Sequence, residues 1–420
     1  MHTAATGTGR FSGRAVFRSF LFLAIAFRLL LVAIVPFGQT VRYRFEGLND
    51  EPAHFNYVKY LALHHSFPVQ KGTVKDPGAF TRNDFEYYQP PLYYAIGAVL
   101  YAVFGMRTGL YCCRLFSCVC GILTVFLIGA AAYKTVPHPL VKYYALLFAA
   151  FSLTHAYFSA LVSNDALSWL IAAMIVYELV SAGGPHSRRN FSPGRSTCLA
   201  LLLAAGMLTK SSLAIFFIVV AAYFFMSAFS LRKVSTAVQG CGIIGSGALL
   251  ASPWYIRNAM LYHSVMALNM GFGPPSHNLT TMRALLGFLE KTLHYFWFPM
   301  QHGISGSTGV RVCNALGGVI LVAQVIALAC YLFRIKRPLF NILLLGLVLI
   351  LTIIAYISLN VSHLEPEGRF LLPAFPAIAF FCAAPVVRLF ERRGAGSRAL
   401  GVAVVTALFP CLYLLFTKAA

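Results

Sequence analysis

The chain has 420 residues, 59% of them hydrophobic and only 11% charged, with a formal net charge of +21. A mean hydropathy of +0.74, with several apolar runs near the roughly 20 residues that cross a bilayer core, excludes a soluble globular protein. The runs are continuous rather than alternating, which excludes a β-barrel, and no nucleic-acid-binding motif accompanies the basic excess. In a membrane chain that excess reads as cytoplasmic loops facing anionic lipid. The ten cysteines, Cys113 and Cys120 among them, fall in or beside apolar runs without zinc-site spacing and read as small hydrophobes.

Arg10, Arg14 and Arg18 keep the N-terminus cytoplasmic. Residues 17–37 form a first span; the run is long, contains Arg28 and lacks a small-residue cleavage site, so it is not a signal peptide. It delivers an outer loop, 38–110, that gathers Glu46, Asp50, Glu51, Asp76, Asp84 and Glu86. Acids directly after a span are costly unless they face water or a polar site. Residues 50–65 have helical spacing, with Asp50, His54, Tyr57 and Leu61 on one face and Pro52 in the first turn. This helix is expected to lie along the membrane surface with a polar edge.

The segment after Pro90-Pro91, residues 92–105, is apolar but short. If it does not cross, Lys134, Lys142, Arg188, Arg189, Arg195, Arg232, Lys233 and the later basic clusters all face the cytoplasm, as the positive-inside rule prefers. The expectation is an all-α, polytopic integral membrane protein of about eleven transmembrane helices, at about 17–37, 111–133, 140–161, 165–182, 197–209, 211–229, 236–254, 312–333, 338–359, 370–387 and 399–417, N-terminus in and C-terminus out. Residues 1–420 then form a single transmembrane domain with no separate soluble domain. A second outer loop, 255–311, contains the breaker Gly271-Phe272-Gly273-Pro274-Pro275 and a second surface helix over 281–298. In this arrangement only Glu178 and Glu391 among the acids lie at the inner face.

Asp50-Glu51 is the sharpest signal. A carboxylate there can act as general base, hold a divalent cation such as Mg or Mn, or simply cap a helix. Asn164-Asp165 opens the outer end of a later span and supplies a second carboxylate, or a second cap. Lys210, Arg257 and Arg369 lie on the same side as these acids. They suit a phosphate leaving group, or a hairpin tip and an interfacial belt. His54, one turn from Asp50, reads as its hydrogen-bonded orienting partner. Tyr87, Tyr88, Tyr93 and Tyr94 suit sugar stacking or an interface belt.

In chain order these residues form Asp50-Glu51, Gln89-Pro90-Pro91-Leu92-Tyr93-Tyr94, Ser163-Asn164-Asp165-Ala166-Leu167, Leu208-Thr209-Lys210, Pro253-Trp254-Tyr255-Ile256-Arg257-Asn258 and Gly368-Arg369-Phe370-Leu371-Leu372-Pro373. The series resembles the GT-C glycosyltransferase superfamily over residues 17–390, nearest the protein O-mannosyltransferase-like branch and the bacterial aminoarabinose transferases. The resemblance implies a GT-C fold and an enzyme of the cell envelope. It implies transfer, usually inverting, from a polyprenyl-phosphate-linked sugar, as dolichyl-phosphate-mannose is, to a glycan, lipid or protein acceptor on the periplasmic or lumenal side. It makes Asp50 the catalytic base, with Glu51 and Asp165 assisting. It makes Lys210, Arg257 and Arg369 ligands of the lipid phosphate, and places His54, Tyr88, Gln89 and Tyr93 along the substrate. The family commonly carries His before its Pro-Pro pair, where Gln89 stands here. Two other readings are a flippase of lipid-linked sugars, which would place its acids near the bilayer midplane, and a scaffold subunit of a glycosylation complex.

Overall fold

The computed structural model describes residues 8–35, 37, 50–71, 86–183, 191–272, 279–299, 308–334 and 340–391. The expected last span, 399–417, and the Gly273-Pro274-Pro275 breaker lie outside the described residues. Every regular element among the described residues is helical. In order these are α1 (Thr8–Ile34), α2 (Glu51–His64), α3 (Leu92–Thr135), α4 (Pro139–Ala150), α5 (Leu153–Phe158), α6 (Asn164–Ala182) and α7 (Pro193–Thr209). They are followed by α8 (Ile215–Leu231), α9 (Val234–Tyr262), α10 (Leu268–Phe272), α11 (Met282–Trp297), α12 (Thr308–Arg334), α13 (Phe340–Ser362) and α14 (Phe375–Glu391). Short 3-10 turns precede α8 (Ser211–Ala214) and α14 (Gly368–Ala374).

Seven helices among the described residues are long and apolar enough to cross a membrane. They lie in α3, α6, α9, α12 and α13, and in α8 and α14 with their leading 3-10 turns. The remaining expected spans differ in length. The segment expected over 140–161 is broken into α4 and α5, and α7 ends at Thr209, where Lys210 adopts an extended conformation.

The break between α4 and α5 depends on Arg28. Its Nη2 donates to the carbonyls of Ala149 (3.1 Å) and Ala150 (3.0 Å) and meets His155 Nδ1 at 3.1 Å. Those last carbonyls of α4 have no helical partner and would be costly to bury bare. Ser152 then caps α5 by accepting from His155 N–H.

α3 is not one straight helix. Gly105 has φ +72° and ψ −174°, a backbone that glycine adopts without strain. The two arms fold together about that point. Tyr93 Oη meets Ser117 Oγ at 2.7 Å, Cys113 Sγ lies 3.7 Å from the Gly97 carbonyl, and a side chain at Gly109 would meet Tyr101 Cα at 3.0 Å. Each pair is centred on residue 105, the signature of an antiparallel helical hairpin. The arm 92–104 is about 20 Å long at ~1.5 Å per residue, short of the ~30 Å hydrocarbon core.

Two further elements depart from expectation. α2 turns inward the face that carries His54, Tyr57 and Leu61: protein encloses Glu51, Ala53, His54, Phe55, Tyr57, Val58 and Leu61, while Asn56 and Lys59 are partly exposed and His64 is exposed. α9 runs on to Tyr262, so the first residues of the expected second outer loop are helical. α11 does form where the second surface helix is expected. Its N-cap Thr281 accepts from Ala284 N–H, and its apolar Leu285, Leu286 and Leu289 are exposed.

Candidate active site

Asp50 begins α2 through its backbone. Its carbonyl accepts from Ala53 N (3.0 Å) and His54 N (3.2 Å), while its side chain makes no capping bond. The carboxylate is therefore free for other partners. Oδ2 accepts from Arg369 Nη2 at 3.0 Å and lies 3.5 Å from His54 Nε2.

Asp165 stands in the first turn of α6, where Ser163 performs the cap by accepting from Asp165 N at 3.2 Å. Its side chain is again released. Oδ1 is paired with Lys210 Nζ, and Oδ2 accepts from Arg369 Nη1 at 3.4 Å. Arg369 thus bridges the two acids. It also pairs through Nε with Glu367 and lies over the rings of Phe158 (4.6 Å) and Phe370 (5.2 Å). Lys210 Nζ sits 5.2 Å from the Phe370 ring centroid. Asp50, Asp165, Lys210 and Arg369, each from a different stretch of chain, meet in one cluster.

Glu51 does not join it. Its carboxylate is buried against Arg114, with Nε to Oε1 at 2.7 Å, and Oε1 also accepts from Val162 N at 2.9 Å. Arg114 Nη1 donates in turn to the carbonyls of Val32 (3.1 Å) and Val35 (2.8 Å). Glu51 and Arg114 therefore pin the end of α1, the start of α2, α3 and the 162 loop to one another. Arg114 escapes a sequence reading focused on loops, because it lies inside an apolar run. The signal was a lone cation in Tyr111-Cys112-Cys113-Arg114-Leu115-Phe116.

The expected substrate-lining residues divide in two. His54 Nδ1 meets Tyr94 Oη at 2.7 Å, and Tyr94 stacks on Tyr57 with centroids 4.0 Å apart. Gln89 Nε2 donates to Tyr88 Oη (3.1 Å), and Gln89 Oε1 accepts from Asn164 Nδ2 (3.2 Å). Both residues stand beside the acids. Tyr93 instead lies behind the α6 cap: its Oη meets Ser117 Oγ and accepts from Ser163 N at 3.1 Å. Arg257 is also apart from the cluster. It lies over the Trp254 ring (4.6 Å) and donates to the Pro68 carbonyl (2.6 Å). No carboxylate among the described residues pairs with it.

Glu86, not singled out from the sequence, is buried beside Asp50 and His54. One ligand atom from each of the three lies within 4.8 Å of the others. Burial, followed by the Asp50 charge, outweighs His54 and pushes the Glu86 carboxyl up to about 7. Burial opposes the charge on Asp50 too, but Arg369 and His54 prevail and hold it well below the ordinary carboxylate range. Burial likewise disfavours the His54 imidazolium, yet Asp50 and Glu86 prevail and raise it.

The fold is that of the GT-C glycosyltransferases. ArnT from Cupriavidus metallidurans bound to undecaprenyl phosphate is similar at a TM-score of 0.52 and 15% identity, over 92% of this chain and 63% of that one. AglB, the oligosaccharyltransferase of Archaeoglobus fulgidus, in complex with an inhibitory peptide and a dolichol-phosphate, is similar at 0.55 and 12% identity, over 96% and 55%. A structure of the same oligosaccharyltransferase with Zn and sulfate gives 0.54 and 14%, over 94% and 52%. The chain therefore spans between about half and two thirds of the length of these proteins. No protein-family model matches it, and no curated protein matches it in sequence.

Proposed function

We propose that the chain is a membrane glycosyltransferase that moves a sugar from a polyprenyl-phosphate-linked donor to an acceptor on the extracytoplasmic side. The convergence of Asp50, Asp165, Lys210 and Arg369 carries this reading. Two carboxylates and two cations held in one cluster suit a reaction in which a proton leaves a nucleophile and a phosphate departs with negative charge. The solved structures of similar fold, one with undecaprenyl phosphate and one with dolichol-phosphate, support the lipid class of the donor.

In this reading an acceptor oxygen attacks the anomeric carbon opposite the phosphate, and configuration inverts. The bond from that carbon to the phosphate oxygen breaks, and its electron pair leaves with the polyprenyl phosphate. The acceptor proton passes to Asp50. Arg369 keeps Asp50 ionised at neutral pH and so ready to accept it. It is already shared among Asp50, Asp165 and Glu367, so its main work is to hold the acids in place. Lys210, paired with the Asp165 carboxylate, and Arg257, held by the Pro68 carbonyl, the Asn258 amide oxygen and the Trp254 ring, are the better contacts for phosphate. Positioning and charge stabilisation supply most of the rate. The placement of Lys and Arg on the opposite loops orients the site away from the cytoplasm.

The test is a transfer assay. Purified protein in lipid nanodiscs is given a panel of radiolabelled polyprenyl-phosphate sugars with membrane-extract acceptors. Label should move from one donor to a glycan, lipid or protein fraction, with free polyprenyl phosphate released in equal amount. Release of no polyprenyl phosphate from any donor, by protein shown to be folded, would sink the reading.

A further inference from the structure

We infer, on the transferase reading proposed above, that Asn164 reads the transferring sugar: its side-chain oxygen accepts a hydrogen bond from a sugar hydroxyl of the lipid-linked substrate. α6 does not need an asparagine at its start, because Ser163 supplies the cap by accepting from Asp165 N. Asn164 is nonetheless 1% exposed, between Gln89 and the end of α7. Asparagine is a weak helix former whose amide is costly to bury without partners.

The hydrogen bonds fix which way this amide points. Nδ2 donates to the Thr209 carbonyl at 3.0 Å and to Gln89 Oε1 at 3.2 Å. A backbone carbonyl can only accept, so the nitrogen must face it. Gln89 agrees, since its own Nε2 donates to Tyr88 Oη at 3.1 Å and leaves Oε1 to accept. Both hydrogens of the Asn164 amide are then engaged. Its Oδ1 is buried and has no hydrogen-bond partner among the described residues. A buried acceptor left bare is costly, and only a group that donates can satisfy it.

The chemistry of a polyprenyl-phosphate sugar identifies that group. The hydrocarbon tail has no polar hydrogen, and the ionised phosphate only accepts. The sugar hydroxyls are the part that donates. Position points the same way. Thr209, whose carbonyl holds the Asn164 amide, immediately precedes Lys210, the proposed phosphate contact, and Gln89 carries the network on to Tyr88. A residue tied to both stands where a sugar joined to that phosphate belongs. Gln89 and Lys210 are partly exposed, so the sugar arrives past them. An uncharged oxygen suits this place, because a carboxylate would repel the phosphate beside Lys210. A site built to bond a hydroxyl discriminates strongly against an analogue that lacks it.

The test removes the hydroxyls one at a time. The full chain in nanodiscs receives the polyprenyl-phosphate sugar selected by the panel assay, and its monodeoxy analogues, each lacking one hydroxyl. Steady-state kcat and KM are measured for the unaltered chain, Asn164→Ala and Asn164→Ser. With the unaltered chain, one analogue should lose at least about 10-fold in kcat/KM, the scale of one hydrogen bond to a buried acceptor. Asn164→Ala should use that analogue and the intact substrate nearly equally, because the oxygen that distinguishes them is gone. Asn164→Ser keeps an oxygen on a shorter side chain and should regain part of the discrimination. A merely structural role would slow every substrate together and leave their ratio unchanged. The inference is overturned if the unaltered chain uses every monodeoxy analogue as well as the intact substrate, as it would if Oδ1 held only a water. Undiminished discrimination in Asn164→Ala overturns it too. The first of these outcomes does not depend on a variant that folds. Either leaves sugar transfer standing, whereas no turnover of any polyprenyl-phosphate sugar by folded protein removes the transferase reading and the role of Asn164 with it.

Discussion

Arg369 reaches Asp50, 319 positions away in the chain, with Nη2 donating to Oδ2 at 3.0 Å, while its Nη1 reaches Asp165 at 3.4 Å. This contact turns two dispersed acids into a paired site. Arg369→Met would leave both carboxylates facing each other without the cation between them. Transfer should fall by roughly 10²-fold or more in kcat/KM, the scale seen when one preorganised charge-stabilising donor is lost. Arg369→Lys keeps the charge but not the planar fork, and should recover only part of the rate. Steady-state kinetics on the two variants checks both.

Glu51 and Asp50 are adjacent but should respond oppositely. Removing Glu51 leaves Arg114 buried with its charge unpaired, a loss of about 3–5 kcal/mol for comparable buried pairs. Glu51→Ala should therefore lower the thermal unfolding midpoint strongly while the folded fraction retains turnover. Replacing both partners with apolar residues should cost less than the sum of the single changes. Fluorescence-detected size-exclusion melting curves, alongside activity per folded molecule, separate the two effects. Unaltered stability in Glu51→Ala would refute the bracing role.

Gly368 is pressed against α11. A side-chain carbon there would come within 2.3 Å of the Phe296 backbone. Backbone cannot yield as a flexible side chain does, so Gly368→Ala must move either α11 or Arg369. A destabilisation of about 1–3 kcal/mol is expected, with loss of activity beyond what the folded fraction explains. Ala substitution at Gly287, which has open space around it, is the matched control and should be tolerated.

Arg257 carries a charge with no carboxylate partner among the described residues, held by the Pro68 carbonyl and the Trp254 ring. Arg257→Ala should raise KM for the lipid donor by roughly 10-fold or more, the scale of a charge-assisted hydrogen bond, with kcat less affected. A change in kcat alone would place Arg257 at the reacting centre instead.

Much of this arrangement is legible in the sequence, for identifiable reasons. The helices follow from long apolar runs and from caps such as Ser163 and Thr281. Asp50, Asp165, Lys210 and Arg369 stand out because charge is scarce in this chain and each interrupts an apolar stretch. What stayed hidden depended on direction or on distant partners. Neighbouring residues of a helix point about 100° apart, so Asp50-Glu51 reads as a pair although the two carboxylates serve different places. Arg114 and Arg28 are single cations within helices, and their roles come from carbonyls and a carboxylate far along the chain. Glu86 belongs to a loop with no periodicity to aim its side chain. The α3 hairpin rests on one glycine in an unbroken apolar run, where hydrophobicity continues straight through the turn.

The central claim is that Asp50 accepts the proton during sugar transfer, and Asp50→Asn tests it most directly. The asparagine retains the size of the side chain and loses its basicity. With the donor identified in the panel assay, the account predicts transfer slowed by about 10²-fold or more, with the melting midpoint close to that of the unaltered protein. Transfer by a folded Asp50→Asn protein at the unaltered rate would contradict it.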